Sequence, residues 1–197
     1  KLQPFFAIGA ATILLKEKIN VRYVKWALLA LIAAYFVTFK NGIVNLDTGT
    51  GTVIAALFAL GAAFAWGSST AFSRYALLKH SHTVITGLRF FITIPLAFIF
   101  VAALGKTGEL TAATGGQFAR LFIIALSTGM IALWIYYRGL KFTEAKVSTI
   151  LELVFPLTAV IIDIFLYKTF LAPSQYLAAL VLLFAVYRVS KLNTASS

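Results

Sequence analysis

The sequence predicts an all-α fold, a polytopic membrane helix bundle, from its composition, its long apolar segments and the placement of its basic residues. Of 197 residues, 61% are hydrophobic and 12% are charged. Soluble domains are roughly 45–50% apolar and about 25% charged. The mean hydropathy of +0.94 points the same way. These figures argue against a soluble enzyme domain and against a disordered chain.

The chain contains no cysteine. A disulfide, a thiolate metal site and a cysteine nucleophile are therefore excluded. The chain begins at Lys1, and its one methionine is Met130. We therefore expect a processed product or a fragment, in which the first apolar segment continues upstream.

Seven apolar segments, which we call A to G, follow one another along the chain. They are residues 2–15, 24–39, 53–72, 84–104, 121–137, 147–167 and 176–189. A helix needs about 20 apolar residues to cross the hydrocarbon core of a bilayer, which is ~30 Å thick. No segment alternates strictly between apolar and polar residues, which argues against a transmembrane β-barrel. We therefore expect seven membrane helices.

The basic residues lie mainly on one side of this predicted membrane domain. Successive connections alternate sides, so the A–B, C–D and E–F loops share a side with the C-terminal tail; together they carry eleven Lys and Arg residues. The opposite side carries four. Because cytoplasmic loops are enriched in Lys and Arg, we expect a cytoplasmic C-terminus and a multi-pass protein of the plasma (inner) membrane. Topology and contact with anionic membrane lipid then explain the net charge of +11 without a nucleic-acid partner.

An internal repeat becomes visible when the sequence is shifted by 152 residues. Residues 1–40 then align with residues 153–192, with ten identical pairs. The pairs that carry most weight are Pro4 with Pro156 and Lys16 with Lys168. The predicted topology gives the two copies opposite orientations, as in secondary transporters built from inverted repeats.

The repeat divides the chain into four parts. We expect the last two helices of an incomplete first repeat, an extracytoplasmic linker, a complete five-helix repeat and a cytoplasmic tail. These parts are residues 1–40, 41–52, 53–192 and 193–197. Completing the first repeat would require three further helices, which would give ten in the intact protein.

Four stretches of the sequence then suggest a family. They are "QPFFAIGAATILLKEKI", "FAWGSSTAFSRYAL", "GLRFF" and "YYRGLKFTEAKVSTILELVFPLTAVI". In this order and spacing the chain resembles the EamA family of the drug/metabolite transporter superfamily, as helices four to ten of ten. The resemblance implies a secondary transporter of small organic metabolites or drugs. One departure is that Glu17, the acidic residue ending the proline helix, has Thr169 as its repeat partner.

Polar residues inside the apolar segments are candidates for a substrate or proton pathway, because ionisable groups are costly within a membrane. Counted from the predicted cytoplasmic ends, Glu152 and Arg89 lie about 8 Å deep, and Ser68 and Ser69 about 10 Å deep. Pro156 has no N–H, so we expect the carbonyl of Glu152 to lose its helical partner. Glu152 would then offer both a carboxylate and a free carbonyl.

Alternatives remain open for each of these residues. Glu152 and Arg89 form a structural ion pair, or Glu152 binds substrate or a proton directly. Trp66 is a packing or interface residue, or a platform on which substrate stacks. We include Trp66 with Glu152, Arg89, Ser68, Ser69 and Pro156 in the candidate pathway.

Other residues are expected to have simpler roles. Asp163 lies near the outer end of segment F, and Tyr136 and Tyr137 fit the aromatic belt of a membrane protein. His80 and His82 are two loop histidines without nearby acidic or thiolate ligands, a weak basis for a metal site. We expect no metal and no cofactor.

The sequence contains no P-loop, G-x-G-x-x-G, G-x-S-x-G or H-E-x-x-H motif, so no enzyme signature is present. We therefore expect a transporter that works by alternating access on a small-molecule substrate. An intramembrane lipid-modifying enzyme, a channel and a non-transporting membrane scaffold are the alternatives. A homodimer is also left open.

Overall fold

The computed structural model describes residues 2–43, 52–112, 114–168 and 170–194. The α-helices are α1 (Gln3–Leu14), α2 (Val21–Thr38), α3 (Thr52–Leu77), α4 (His82–Ala103), α5 (Gly115–Ile124), α6 (Ala132–Leu140), α7 (Ala145–Leu151), α8 (Phe155–Tyr167) and α9 (Pro173–Thr194). Across these described ranges the structure contains no β-strand. The prediction of an all-α fold is confirmed.

Six helical stretches are long and apolar enough to cross a membrane, and they correspond to segments B to G. They are Val21–Thr38, Ile54–Leu77, His82–Ala103, Gly115–Leu140, Ala145–Tyr167 and Pro173–Leu192. Helix α1, from segment A, has 12 residues and is about 18 Å long at 1.5 Å per residue. Alone it is shorter than the ~30 Å hydrocarbon core, so a seventh crossing stays a prediction.

Segment E is one helical stretch with a π-helical section, Ala125–Ile131, between α5 and α6. The hydroxyl of Ser127 donates to the carbonyl of Ile123 at 2.7 Å, and that of Thr128 donates to the carbonyl of Ile124 at 2.9 Å. Hydroxyls that bond one turn back compete with backbone N–H groups for these carbonyls. This competition accounts for the local widening of the helix.

The chain forms two compact units, Lys1–Phe72 with Thr143–Ser197, and Ser73–Phe142. In the first unit α2 and α9 pack antiparallel. The ring of Trp26, early in α2, lies 5.5 Å from that of Phe184, in the middle of α9. At the other end, Gln175 Nε2 donates to the carbonyl of Val37 at 2.8 Å.

Helix α7 lies at the centre of the first unit, because every residue from 145 to 150 is buried. Ala11 of α1, Ala71 of α3 and Ala145 of α7 are fully buried and form one apolar cluster. Small side chains let helix backbones approach closely, and they bring α1 against both neighbours. The second unit has its own core, formed by Leu77, Ile85, Tyr137 and Leu140.

The helix starts can be compared at the spacing of the predicted repeat. A shift of 152 residues maps the first residue of α1 onto the first of α8, and the first of α2 onto the first of α9. It also pairs buried positions of α2 with buried positions of α9: Ala30 with Leu182, Ala33 with Ala185, Ala34 with Val186 and Val37 with Val189. The helix starts and buried faces agree with this spacing, and the division of the chain into repeats stays a prediction.

Four sequence-based expectations fall wholly or partly on positions outside the described residues. Residues 44–51 of the predicted linker and residues 195–197 of the predicted tail lie outside the described residues. So does Thr169, the repeat partner of Glu17, and so does the side chain of Asp163.

Candidate functional site

Glu152 lies where the helix of segment F changes its winding. A 3-10 turn, Glu152–Val154, separates α7 from α8. Pro156 begins this change because a proline nitrogen cannot donate to the carbonyl four residues earlier. The backbone N–H of Phe155 donates to the Glu152 carbonyl instead. The expectation of a free Glu152 carbonyl was therefore wrong, since tightening to i→i+3 bonds supplies a new donor.

The carboxylate of Glu152 has a partner on α1. Gln3 Nε2 donates to Glu152 Oε2 at 2.8 Å, across 149 residues of sequence. The carboxylate is half-buried, so an amide donor helps to stabilise it where charge is costly. Sequence reasoning missed Gln3, although it is the one amide side chain in the apolar helix α1.

Helix α3 carries Trp66, Ser68 and Ser69, and it contacts α1 near Gln3. A Cβ placed on Gly67 would lie 2.6 Å from the carbonyl oxygen of Gln3 and 2.9 Å from the nitrogen of Ala7. Glycine is required for this approach, because both neighbouring atoms belong to the backbone. Gln3 therefore adjoins Glu152 through its side chain and Gly67 through its backbone.

The neighbours of Gly67 differ in exposure. Ser68 and Ser69 are half-buried, whereas the Trp66 side chain is 65% exposed. The first unit thus gathers Glu152, Gln3 and the helix that carries Trp66, Ser68 and Ser69. Whether these residues bind a substrate or a proton stays a prediction.

Arg89 lies in the second unit and has its own partners there. Arg89 Nη1 donates to Tyr137 Oη at 2.7 Å, and its guanidinium carbon lies 5.9 Å from the centre of the Tyr137 ring. The hydroxyl of Ser73 lies 2.8 Å from the same Tyr137 oxygen. The ion pair between Arg89 and Glu152 stays a prediction, since the two residues belong to separate units.

Tyr137 does not have the role expected from the sequence. It is 1% exposed and belongs to the core of the second unit, so its assignment to an aromatic belt was wrong. The belt interpretation rested on its position near a predicted membrane boundary. Its burial arises because α6 packs against α4 and the end of α3, which a position along the chain cannot reveal.

A second polar cluster joins the α1–α2 loop to α7. Glu17 accepts hydrogen bonds from the backbone N–H of Ala145 at 2.7 Å and that of Lys146 at 3.0 Å. The Lys146 ammonium in turn donates to the carbonyl of Lys18 at 2.6 Å and lies 3.1 Å from Glu144 Oε2. We call these contacts the Glu17–Lys146 clasp.

Tyr23 reinforces the clasp, because its hydroxyl donates to the carbonyl of Lys146 at 2.7 Å. Lys146 is 6% exposed, so its charge needs these partners. In the sequence, Lys146 counts among the eleven basic residues of the predicted cytoplasmic side. The signal that could have indicated this contact is Glu17, the acidic residue of a loop whose other charged residues are basic.

The histidines show no arrangement suited to a metal. The ring of His82 packs edge-on against that of Trp134, with ring centres 4.8 Å apart. Among the described residues, no group of three or more His, Asp or Glu side chains could hold a metal ion. His82 therefore packs against Trp134.

A comparison with protein families identifies the chain. The model of the EamA-like transporter family matches residues 53–191. The chain belongs to this family. The resemblance inferred from the sequence is confirmed, and with its six helices of membrane-spanning length the chain is part of an integral multi-pass membrane protein.

One curated relative of this EamA chain has an assigned substrate. The chain is 37% identical over 193 residues to the riboflavin transporter ImpX of Fusobacterium nucleatum subsp. nucleatum. The match covers 98% of the chain and 64% of that relative. The chain therefore spans less than two thirds of the relative's length. No solved structure matches the chain.

Proposed function

We propose that the protein containing this chain is a secondary transporter of small organic molecules, and that riboflavin is its substrate. The observation that supports this most directly is the 37% identity, over 98% of the chain, to a riboflavin transporter. Membership of the EamA-like family supports transport in general. The choice of riboflavin among small organic molecules rests on this riboflavin transporter.

Alternating access between two inverted halves is the proposed mechanism. The pair α1–α2 and the pair α8–α9 begin at positions related by the shift of 152 residues. Because α2 and α9 pack antiparallel, the two pairs run in opposite directions, which supports an inverted arrangement. In such transporters the substrate site lies between the repeats, near the middle of the membrane.

Glu152 is the residue that we propose to couple transport to a proton or to bind substrate. It has an ionisable side chain within an apolar helix, at a break in the helical winding. Its partner Gln3 comes from the other repeat pair. A carboxylate between the pairs can change its partners as they move, and the neutral amide of Gln3 can serve either protonation state because it both donates and accepts.

Riboflavin uptake tests the proposal. The complete reading frame encoding this chain would be expressed in a riboflavin-auxotrophic bacterium without its own riboflavin uptake, and accumulation of radiolabelled riboflavin would be measured. We expect saturable uptake that excess unlabelled riboflavin suppresses. Cells that carry the empty vector control for passive entry. Uptake no faster than in cells with an empty vector, despite protein in the membrane, would contradict the riboflavin assignment.

A further inference from the structure

Three polar side chains from three helices of the second unit form one chain of hydrogen bonds. Arg89 is on α4, Tyr137 on α6 and Ser73 on α3. Tyr137 Oη lies 2.7 Å from Arg89 Nη1 and 2.8 Å from Ser73 Oγ. The role proposed for Glu152 in transport does not account for these three residues.

The direction of the bonds follows from the chemistry of the groups. Arginine has no acceptor, so Arg89 donates to the Tyr137 oxygen. That oxygen has one proton of its own, which it can then donate to Ser73. Tyr137 is 1% exposed and held by its core neighbours. Its oxygen is therefore a fixed point against which the exposed Arg89 side chain is oriented.

Most of the N–H donors of the Arg89 guanidinium stay available to bind a ligand. A guanidinium has five N–H donors in a planar fork. Within the part of the chain that the structure describes, one of them is used, on Tyr137, and the side chain is otherwise exposed. A guanidinium held at one corner presents its remaining donors in one plane, the geometry that matches two adjacent, coplanar acceptor atoms.

We propose that Arg89 binds a pair of coplanar acceptor atoms on the substrate, and that Tyr137 and Ser73 are positioning residues for its guanidinium. This inference rests on the proposed function. In riboflavin the matching pair is N1 and the oxygen on C2 of the isoalloxazine ring, which lie on one edge in the ring plane. A lysine could supply charge at this place but not two parallel donors.

Edited flavins test this assignment, because they remove one acceptor without changing the shape of the ring. In 1-deazariboflavin a C–H group replaces N1, whereas in 5-deazariboflavin the replacement is at N5, on the far side of the ring. The KM and Vmax of uptake would be measured for riboflavin and both analogues. The proteins are the complete wild type, Tyr137→Phe and Ser73→Ala.

We expect Tyr137→Phe to raise the KM for riboflavin and for 5-deazariboflavin about tenfold, the effect of one hydrogen bond, with Vmax unchanged. For 1-deazariboflavin the wild-type KM should already be raised, and the variant should add little. Ser73→Ala should give the same pattern with a smaller change, and it serves if Tyr137→Phe does not reach the membrane. Tyr75→Phe, an exposed tyrosine of the same unit, is the matched control and should change nothing.

The experiment tests riboflavin as the substrate and the role of Arg89 separately. If wild-type protein takes up riboflavin but Tyr137→Phe raises KM equally for all three flavins, Tyr137 is structural and the inference is overturned. An unchanged KM for riboflavin in both variants would overturn it as well. If wild-type protein takes up no flavin, the proposed substrate falls and this assignment falls with it.

Discussion

Lys16 and Lys168 share one backbone conformation, each with a left-handed φ of +55°. They are 152 residues apart, at equivalent places after the equivalent helices α1 and α8. A left-handed conformation costs an L-residue other than glycine about 1–2 kcal/mol, so two such lysines in matching turns are not expected by chance. The two turns therefore share a backbone conformation at positions that the predicted repeat relates.

These turns predict an effect on stability. Replacing Lys16 or Lys168 by valine should destabilise the protein by about 1 kcal/mol or more, because a β-branched side chain fits poorly at positive φ. Glycine at either place should be tolerated. Thermal unfolding of the purified protein in detergent would measure both changes. Lys18→Val, two residues beyond Lys16 in the same loop, is the control, and a loss as large as that of Lys16→Val would contradict the explanation.

The sequence was sufficient for the helices and for the position of Glu152 in them, because both depend on local information. Apolar length predicts a membrane helix, and the six long stretches begin and end within several residues of segments B to G. The interval from Glu152 to Pro156 predicted that the Glu152 carbonyl loses its usual helical donor. It did not predict the new bond from Phe155, because a helix can relieve a missing donor by tightening.

The side-chain partners could not be predicted, because they depend on which helices pack together. Gln3 reaches Glu152 across 149 residues, and Tyr137 reaches Arg89 across 48. Neither spacing follows a helical period. The sequence suggested Arg89 as the partner of Glu152 from matching depth alone, and depth does not determine which face of a helix meets which neighbour.

The contact between α1 and α3 predicts that Gly67 cannot be enlarged. Gly67→Ala would place a methyl group within 3 Å of backbone atoms of Gln3 and Ala7, so the helices must separate. We expect a loss of roughly 1–3 kcal/mol, the usual range for overpacking, seen as a lower unfolding midpoint in detergent. Gly61→Ala on the same helix has nothing within 4 Å. Equal midpoints for the two variants would show that the helices do not meet at Gly67.

The Glu17–Lys146 clasp predicts that Glu17 contributes to stability. The Glu17 carboxylate accepts two backbone N–H bonds at the start of α7, and a glutamine has one oxygen to offer. Hydrogen bonds to charged groups contribute about 1.5–3 kcal/mol, so Glu17→Gln should destabilise by an amount of that order. Lys18→Gln is the control, because Lys18 contributes its backbone carbonyl to the clasp. A Glu17→Gln variant as stable as Lys18→Gln would rule out this role.

The charge distribution predicts the topology of the loops. Single cysteines can be introduced cleanly, since the chain has none of its own. A membrane-impermeant thiol reagent added to intact cells should label Lys106→Cys, between segments D and E. It should label Lys141→Cys, between segments E and F, only after the membrane is permeabilised. Labelling of Lys141→Cys in intact cells would reverse the assignment.

Glu152→Gln separates the functional role of this residue from a structural one. The variant keeps the shape of the side chain and an oxygen that can accept from Gln3 Nε2, the contact seen at 2.8 Å. If Glu152 binds substrate or a proton, transport should be lost while the unfolding midpoint changes little. If its main role is to pair with Arg89, removing the charge should deprive Arg89 of its carboxylate partner and lower stability. Glu152→Gln with Arg89→Gln should then restore the unfolding midpoint, which is the readout here because Arg89 is also proposed to bind substrate. Under the functional role the double variant stays inactive.

Glu109→Gln, which changes an exposed carboxylate beside Lys106, controls for the loss of a negative charge. Full transport by Glu152→Gln alone would remove Glu152 from the proposed pathway.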